Sequence, residues 1–545
     1  MIRRILVVVT LGAALLPLAP LGAQTSNPTF LVGAARVTTD PLPPYTGICI
    51  GGYDIQCARA MKRVRDPMYA RAVAITGDAG RGETVIVVAT TGIGLFVSYK
   101  SEQGANGIYD MRQQVAARLP VPADHVIVQS DHSHSGPDTI GIWGGVPASY
   151  LEQLRKAVVD AAVAAYHARV PATLSVASVT GPPTESSYQS GPNAGHDDEF
   201  RLLVARSLKG KRVLTLANYS PHATVIGSDN EDGTTGDWPG WAAEEAESLH
   251  GGFGIGLVGS IGSMDWNKKG DSLEAREAEA RQRLRTMAAA ATAALKPVRG
   301  TKVGVQSTFF REVLTQPVLG ANYVPGVLAL FGQPDIRIDR ATTPPWLTGT
   351  VLGSYAGAVR LGDVFVALAP GEAFPAINDT LRQGGVTAQD HFFFGATNDF
   401  LGYMVDGLAA YQQTLQEGAT YLAGCPEEAL VGGDPACPDH FTLMVSPTIG
   451  THVLCTIQDA AVRLGFTTGT RNDLCPALTV LDGVAAPAEA AGLPRPDDGA
   501  NGPDGRPNNP GGGPGGLPST GWPAALSGLA MAALVAGLAM RRLRA

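Results

Sequence analysis

His125-Val-Ile-Val-Gln-Ser-Asp-His-Ser-His-Ser-Gly-Pro137 is the stretch on which fold and chemistry both turn. Its opening, His125 to Val128, reads as a strand with buried faces, and the polar run from Ser130 ends at a Gly-Pro turn. If the backbone stays extended past the strand, His132 and His134 point to one face, because side chains alternate with period two. Two imidazoles so placed can share one metal, or one can bind it while the other moves a proton. A polar loop with two exposed histidines would carry the same letters.

Working outward, Thr84 to Ala89 and Asp363 to Leu368 are further apolar strands. Tyr150 to Arg169 has apolar residues at helical spacing. Asp271 to Leu295 reads as a long helix with Asp271 as N-cap and Pro297 just past its end. Strand–helix alternation over this length predicts an α/β fold, a large layered domain on mixed sheets spanning residues 27–484. Other polar groups also follow strands directly. His222 stands in Asn218-Tyr-Ser-Pro-His222, after Val213 to Ala217. Glu372 closes Ala369-Pro-Gly-Glu372, as a hard ligand or as a helix-start residue. Tyr403 ends Asn398-Asp-Phe-Leu-Gly-Tyr403, after His391 to Phe394.

Both ends read as processing signals. Residues 1–23 pair Arg3-Arg4 with an apolar run broken by Pro17 and Pro20, then small residues, as a secretory signal does. Residues 517–545 place Leu517-Pro-Ser-Thr-Gly521 before an apolar stretch from Trp522 to Met540 and a terminal arginine cluster. About nineteen residues at ~1.5 Å each span roughly 28 Å, one bilayer core. The pentapeptide resembles the LPxTG signal that a sortase cuts and joins to peptidoglycan, here through Thr520. Residues 485–516, rich in Pro, Gly, Ala, Asn and Asp, read as a disordered tether. These segments place the protein outside the cell, anchored to a Gram-positive type of wall.

The 41 Lys+Arg against 49 Asp+Glu give a net charge of −8. Without Arg3, Arg4, Arg541, Arg542 and Arg544 the balance is 36 against 49, or −13. With no basic run in its body, such a chain is a poor partner for nucleic acid. The six cysteines form no CxxC, and an even count in an oxidising compartment favours disulfides. Sequence proximity pairs Cys49–Cys57, Cys425–Cys437 and Cys455–Cys475.

The ordered set is more specific than its parts. HxHSGP, a strand-end histidine, PGE and ND-x-x-GY together resemble the neutral ceramidase family, from about Phe30 to Gly465. The resemblance implies a zinc amidase that cleaves ceramide-like N-acyl-sphingosines to fatty acid and sphingoid base. It implies His132, His222, Glu372 and Tyr403 as Zn2+ ligands, with His134 beside the reacting water. Zinc lowers the pKa of bound water from about 15.7 to roughly 7 and polarises a carbonyl, which is what amide hydrolysis needs at neutral pH. A second tyrosine of the family steadies the tetrahedral intermediate. Tyr411 is the nearest phenol, although Gln416 competes for that place.

The chain also departs from the family. Where the family has G-D-V-S-P-N, this sequence has Gly262-Ser-Met-Asp-Trp-Asn267, which puts Asp265 in the serine's slot and Ser263 in the aspartate's. The family's Asn-Arg-Ser substrate segment is replaced near Ser187-Tyr-Gln-Ser190. Its C-terminal β-sandwich has no counterpart, and the tether takes its place. Another N-acyl amide or ester, or lipid binding without catalysis, is the alternative these departures leave open.

Overall fold

The structure is a computed structural model that describes residues 29–54, 56–99, 103–181, 195–230, 232–314, 350–406, 445–446 and 448–483. The chain divides into two units, residues 1–497 and 498–545, and every described residue belongs to the first. The export signal, tether and sorting signal lie outside the described residues, as do Ser187 to Ser190, Tyr411, Gln416, Cys425 and Cys437. Among the described residues no helix is long and apolar enough to cross a membrane.

Two sheets stack on each other. The larger is built from β1 (Phe30–Thr38), β3 (Tyr69–Thr76), β4 (Thr84–Thr90), β5 (Val126–Ser130), β6 (Val170–Thr180), β7 (Glu199–Ser207), β8 (Arg212–Tyr219) and β10 (Phe253–Val258). Its order is β10-β8-β7-β6-β1-β3-β4-β5, with β11 (Lys296–Pro297) added beside β6. The smaller has the order β12 (Val303–Leu314), β13 (Thr350–Leu361), β14 (Val364–Leu368), β17 (Asp390–Phe394). Three two-residue pairings finish the strand set: β2 (Arg63–Val64) with β9 (Gly233–Thr234), β15 (Glu372–Ala373) with β18 (Tyr403–Met404), and β16 (Val386–Thr387) with β19 (Thr467–Thr468). The sheets are mixed, since β4–β5, β8–β10 and β14–β17 are parallel while most other neighbours are antiparallel.

Period-two alternation sorts the side chains into two cores. Val85 and Val87 of β4, Ile127 of β5, and Val364, Val366 and Leu368 of β14 fill the space between the sheets. Ile86, Val88, Val126, Val128, Phe365 and Ala367 face the other way. There they meet helices, among them α1 (Ile108–Arg118), α2 (Ala148–His167), α3 (Asp237–His250) and α4 (Leu273–Ala293). The helix α5 (Pro375–Thr380) precedes α6 (Ile449–Arg463), which covers β12 and β13, and α7 (Cys475–Leu478) is followed by a 3-10 turn at Thr479–Leu481. The layering expected from strand–helix alternation is present, as are the Cys49–Cys57 and Cys455–Cys475 disulfides.

Two local expectations need correction. The long helix is capped by Ser272 rather than Asp271: Ser272 is extended, and its hydroxyl accepts the Ala275 N–H at 3.2 Å. The backbone also does not stay extended into the paired histidines. The strand ends at Ser130, and His132 is left-handed with φ 55°. Asp131 causes the turn, since its carboxylate accepts the N–H groups of both Gly92 and Ser133 at 3.1 Å.

A buried ionic clasp fastens α6. His452 meets Glu312 on β12 through Nδ1 (2.6 Å) and Asp482 through Nε2 (3.0 Å), while Ser446, Thr448 and Thr456 hydroxyls donate to the same carboxylates. Burial disfavours the charged imidazolium, but the hydrogen bonds and charges of Asp482 and Glu312 outweigh it and push the pKa up to about 9. A raised folded-state pKa stabilises below the unfolded value of 6.5 and loses that contribution as pH climbs through 9. The loss is on the order of 3 kcal/mol. Unfolding midpoints measured from pH 6 to 9.5 should therefore converge between the native protein and a His452→Gln variant. A gap that stays constant across that window would refute the assignment.

Candidate metal centre

Four strands deliver the candidate groups at their carboxyl ends, where parallel α/β sheets present their sites. His132 and His134 follow β5, His222 follows β8, Glu372 follows β14, and Tyr403 follows β17. Two buried amides hold these ends together. The Gln129 side chain donates to Val258 O and Gly395 O at 3.0 and 2.7 Å and accepts the Val258 N–H. Asn218 donates to Leu257 O and Phe393 O at 3.2 and 2.9 Å. Each amide thus ties the larger sheet to the β17 end of the smaller one. Neither residue stood out in the sequence, because a lone amide within a strand has no distinctive spacing.

The left-handed turn brings the histidines together by a different route from strand alternation. His134 Nε2 lies 3.2 Å from His132 Nε2, and His134 N donates to Ala223 O at 3.1 Å, next to His222. One ligand atom from each of His132, His134 and His222 lies within 4.8 Å of the others. Glu372 joins them, with Oε2 2.9 Å from His222 Nε2 and 3.4 Å from His132 Nε2. It sits in β15 and is 2% exposed, and the helix begins only at Pro375, so its carboxylate serves this cluster rather than a helix start. Tyr403 pairs with Glu372 across β15 and β18, its ring centroid 6.5 Å from that of His222.

Backbone carbonyls set the ring orientations. His132 Nδ1 lies 2.6 Å from Ile93 O, and His222 Nδ1 lies 2.7 Å from Met264 O. A carbonyl only accepts, so both Nδ1 atoms carry a proton, and it is the Nε2 of each ring that turns inward. Phe400 stacks on His132 at 5.2 Å and 20°. At the loop that holds His222, a Cβ on Gly262 would fall 2.4 Å from Phe374 Cδ1 and 2.5 Å from Glu372 O, so only glycine permits this approach.

This donor set demands positive charge. Two inward Nε2 atoms face a carboxylate oxygen, and with both imidazoles neutral such an array is repulsive unless a proton or cation sits among them. Burial raises the Glu372 pKa, but the charge and hydrogen bonds of His132 and His222 outweigh it and hold the carboxyl well below its ordinary range. Burial alone would lower His222, yet the hydrogen bond and charge of Glu372, with Asp265 and the Met264 carbonyl, push it up to about 9. His134 is different: burial and then the neighbouring His132 and His222 lower it well below 6.5, so it is neutral at pH 7. Its Nδ1 has no hydrogen-bond partner among the described residues. Two or three histidines with a carboxylate could hold a single divalent ion with nitrogen and oxygen preferences.

Solved structures align with this chain, two of them ceramidases. Neutral ceramidase from Pseudomonas aeruginosa superposes with a TM-score of 0.56 and 15% sequence identity, over 82% of this chain and 77% of that one. The fold is that of neutral ceramidase. A ceramidase complexed with C2 aligns with the same figures. No protein-family model matches the sequence, and no curated protein does either. At this identity the likeness to neutral ceramidase is one of fold, and the chemistry must be argued from the cluster.

The remaining expected residues fall around it. Asp265 takes a hydrogen bond from the Thr224 hydroxyl and one from Trp266 N at 2.8 Å, and belongs to the loop whose Met264 carbonyl orients His222. Ser263 is wholly buried, its hydroxyl without a partner among the described residues. Asn398 and Asp399 serve the scaffold: Asn398 Oδ1 accepts Val128 N, and Asp399 accepts Val97 N and the Ser354 hydroxyl. The orienting carbonyls of Ile93 and Met264 could not be found in the sequence, because every residue has a carbonyl.

Proposed function

We propose that this protein is a secreted, zinc-dependent amidase that hydrolyses the N-acyl amide of ceramide-like lipids and is displayed on the cell wall. The convergence of His132, His134, His222 and Glu372 at strand ends is the observation that carries the reading. His132, His222 and Glu372 would hold the ion together with Tyr403, and a bound Zn2+ would supply Lewis acidity toward the acyl carbonyl. His134, neutral and half-buried beside the cluster, is suited to take a proton from the attacking water and return it to the leaving amine. Tyr411 or Gln416 would donate to the developing oxyanion, and Asp265 would shape the approach through the loop that carries Met264. The export signal, tether and LPSTG sequence support the cell-wall address, reached by sortase through Thr520.

The test is metal analysis of the purified full chain, together with hydrolysis of a panel of fluorescent N-acyl lipids that includes N-acylsphingosine. One zinc per chain and release of fatty acid are expected, with activity lost on chelation and restored by zinc. A folded, metal-free protein with undiminished activity would end the proposal. In the native host, Thr520→Ala should release the protein from the peptidoglycan fraction; retention there would sink the address.

A further inference from the structure

The Cys49–Cys57 disulfide joins residues 8 apart and closes a small ring that contains Gly51, Gly52, Tyr53 and Asp54. The ring is strapped to the segment that follows the paired histidines. Gly51 N donates to Gly136 O at 2.9 Å, Asp138 N to Cys49 O at 2.8 Å, and Cys57 N to Trp143 O at 2.7 Å. Arg59, 3% exposed, adds a clamp: its guanidinium donates to Gly51 O, to Asn230 O and, through both terminal nitrogens, to His134 O at 3.0 Å.

The ring also touches the His134 side chain. Gly52 is left-handed with φ 100°, and a Cβ there would lie 2.6 Å from His134 Cβ and Cγ and 2.7 Å from Nδ1. Tyr53 meets the His134 imidazole edge to face at 5.1 Å, with Arg59 5.3 Å from the Tyr53 ring centre. His132 and His222 each have a carbonyl to fix ring and tautomer, whereas His134 has none among the described residues. Its orientation comes from the shape of the wall it lies against.

We propose that the Cys49–Cys57 ring is a functional wall of the site, in which Gly52 and Tyr53 are positioning residues that aim His134 Nε2 at the reaction centre. The inference rests on the hydrolytic reading above. With no carbonyl to fix it, the His134 imidazole depends on this packing for aim, and misplacement near 1 Å costs about 100-fold in rate. The disulfide limits the loop conformations available to Gly52 and Tyr53, so the wall keeps its shape.

The test compares full-length Cys49→Ser/Cys57→Ser, Tyr53→Ala and Tyr53→Phe proteins with the native chain by three readouts: zinc per chain, kcat and KM on a fluorescent N-acylsphingosine, and modification of individual histidines by diethyl pyrocarbonate mapped by mass spectrometry. For the double serine variant and Tyr53→Ala, zinc content and KM should hold while kcat falls about 10–100-fold. In both, His134 should be modified faster while His132, held by Ile93 O, is not. Tyr53→Phe keeps the edge-to-face ring and should recover most of the kcat and the slow His134 labelling that Tyr53→Ala loses. If the double serine variant does not fold, Tyr53→Ala decides. Unchanged kcat and unchanged His134 labelling would overturn the inference, as would loss of zinc, which would make His134 a ligand. A native chain with neither zinc nor hydrolysis would overturn the functional reading, while the labelling arm would still judge the wall.

Discussion

Replacing His222 by alanine should abolish stoichiometric zinc binding and lower N-acyl hydrolysis by roughly 1,000-fold or more. The size follows from the several kcal/mol of charge stabilisation a catalytic metal provides, at about 1.4 kcal/mol per tenfold. His222 is the closest partner of Glu372, at 2.9 Å, and is oriented by the Met264 carbonyl. Alanine removes one inward lone pair and leaves a buried carboxylate with His132 alone at 3.4 Å. The Met264 carbonyl loses the imidazole donor and keeps only the backbone N–H of residue 222, at 2.9 Å. The variant should fold, since β8 ends at Tyr219 and its partner strands are untouched. Metal analysis and initial rates on the same preparation check this, with His132→Ala as a parallel case. Native zinc content or native activity in His222→Ala would show that the cluster is not the catalytic centre.

How much of this was legible in the sequence depends on the kind of signal. Apolar runs ending abruptly in a polar residue marked β5, β8, β14 and β17, because a strand buried on both faces leaves little room for polar side chains until it ends. His132, His222, Glu372 and Tyr403 were all nominated at such ends. The route by which His132 and His134 converge was not legible: alternation pointed to an extended chain, while Asp131 recruits two backbone N–H groups and turns it. Glu372 was ambiguous because a carboxylate after Pro-Gly serves a helix start equally well, and only its tertiary neighbours decide. The wall around His134 was hidden for another reason. Gly52 and Tyr53 lie roughly 80 residues upstream, and nothing local in Gly51-Gly-Tyr53 distinguishes a site wall from a surface turn.

Asp197 is the other residue whose loss should be felt across the site. Asp197 opens the acidic run Asp197-Asp-Glu199, yet it is 1% exposed and Arg201 is fully buried against it. Its carboxylate takes a bidentate pair from Arg201 at 2.7 and 3.1 Å. It also accepts from Ser220 at 2.5 Å, Ser260 at 3.1 Å and Asn378 at 2.9 Å. These three donors lie two residues before His222, two before Gly262 and six beyond Glu372, so one buried anion ties together three segments that carry the cluster. Asp197→Asn should lower the unfolding free energy by about 3–5 kcal/mol, because it removes the main partner of the Arg201 charge and leaves Glu199 at 3.4 Å and the weaker field of Asp390. Removing the stranded charge as well, in Asp197→Asn/Arg201→Met, should recover part of that loss, since a buried pair exchanged for neutral groups is often tolerated. Chemical denaturation of the two variants separates the terms. If the double variant is no more stable than the single, the loss does not come from the unpaired guanidinium. In that case the hydrogen bonds to Ser220, Ser260 and Asn378 dominate, and zinc affinity should fall equally in both.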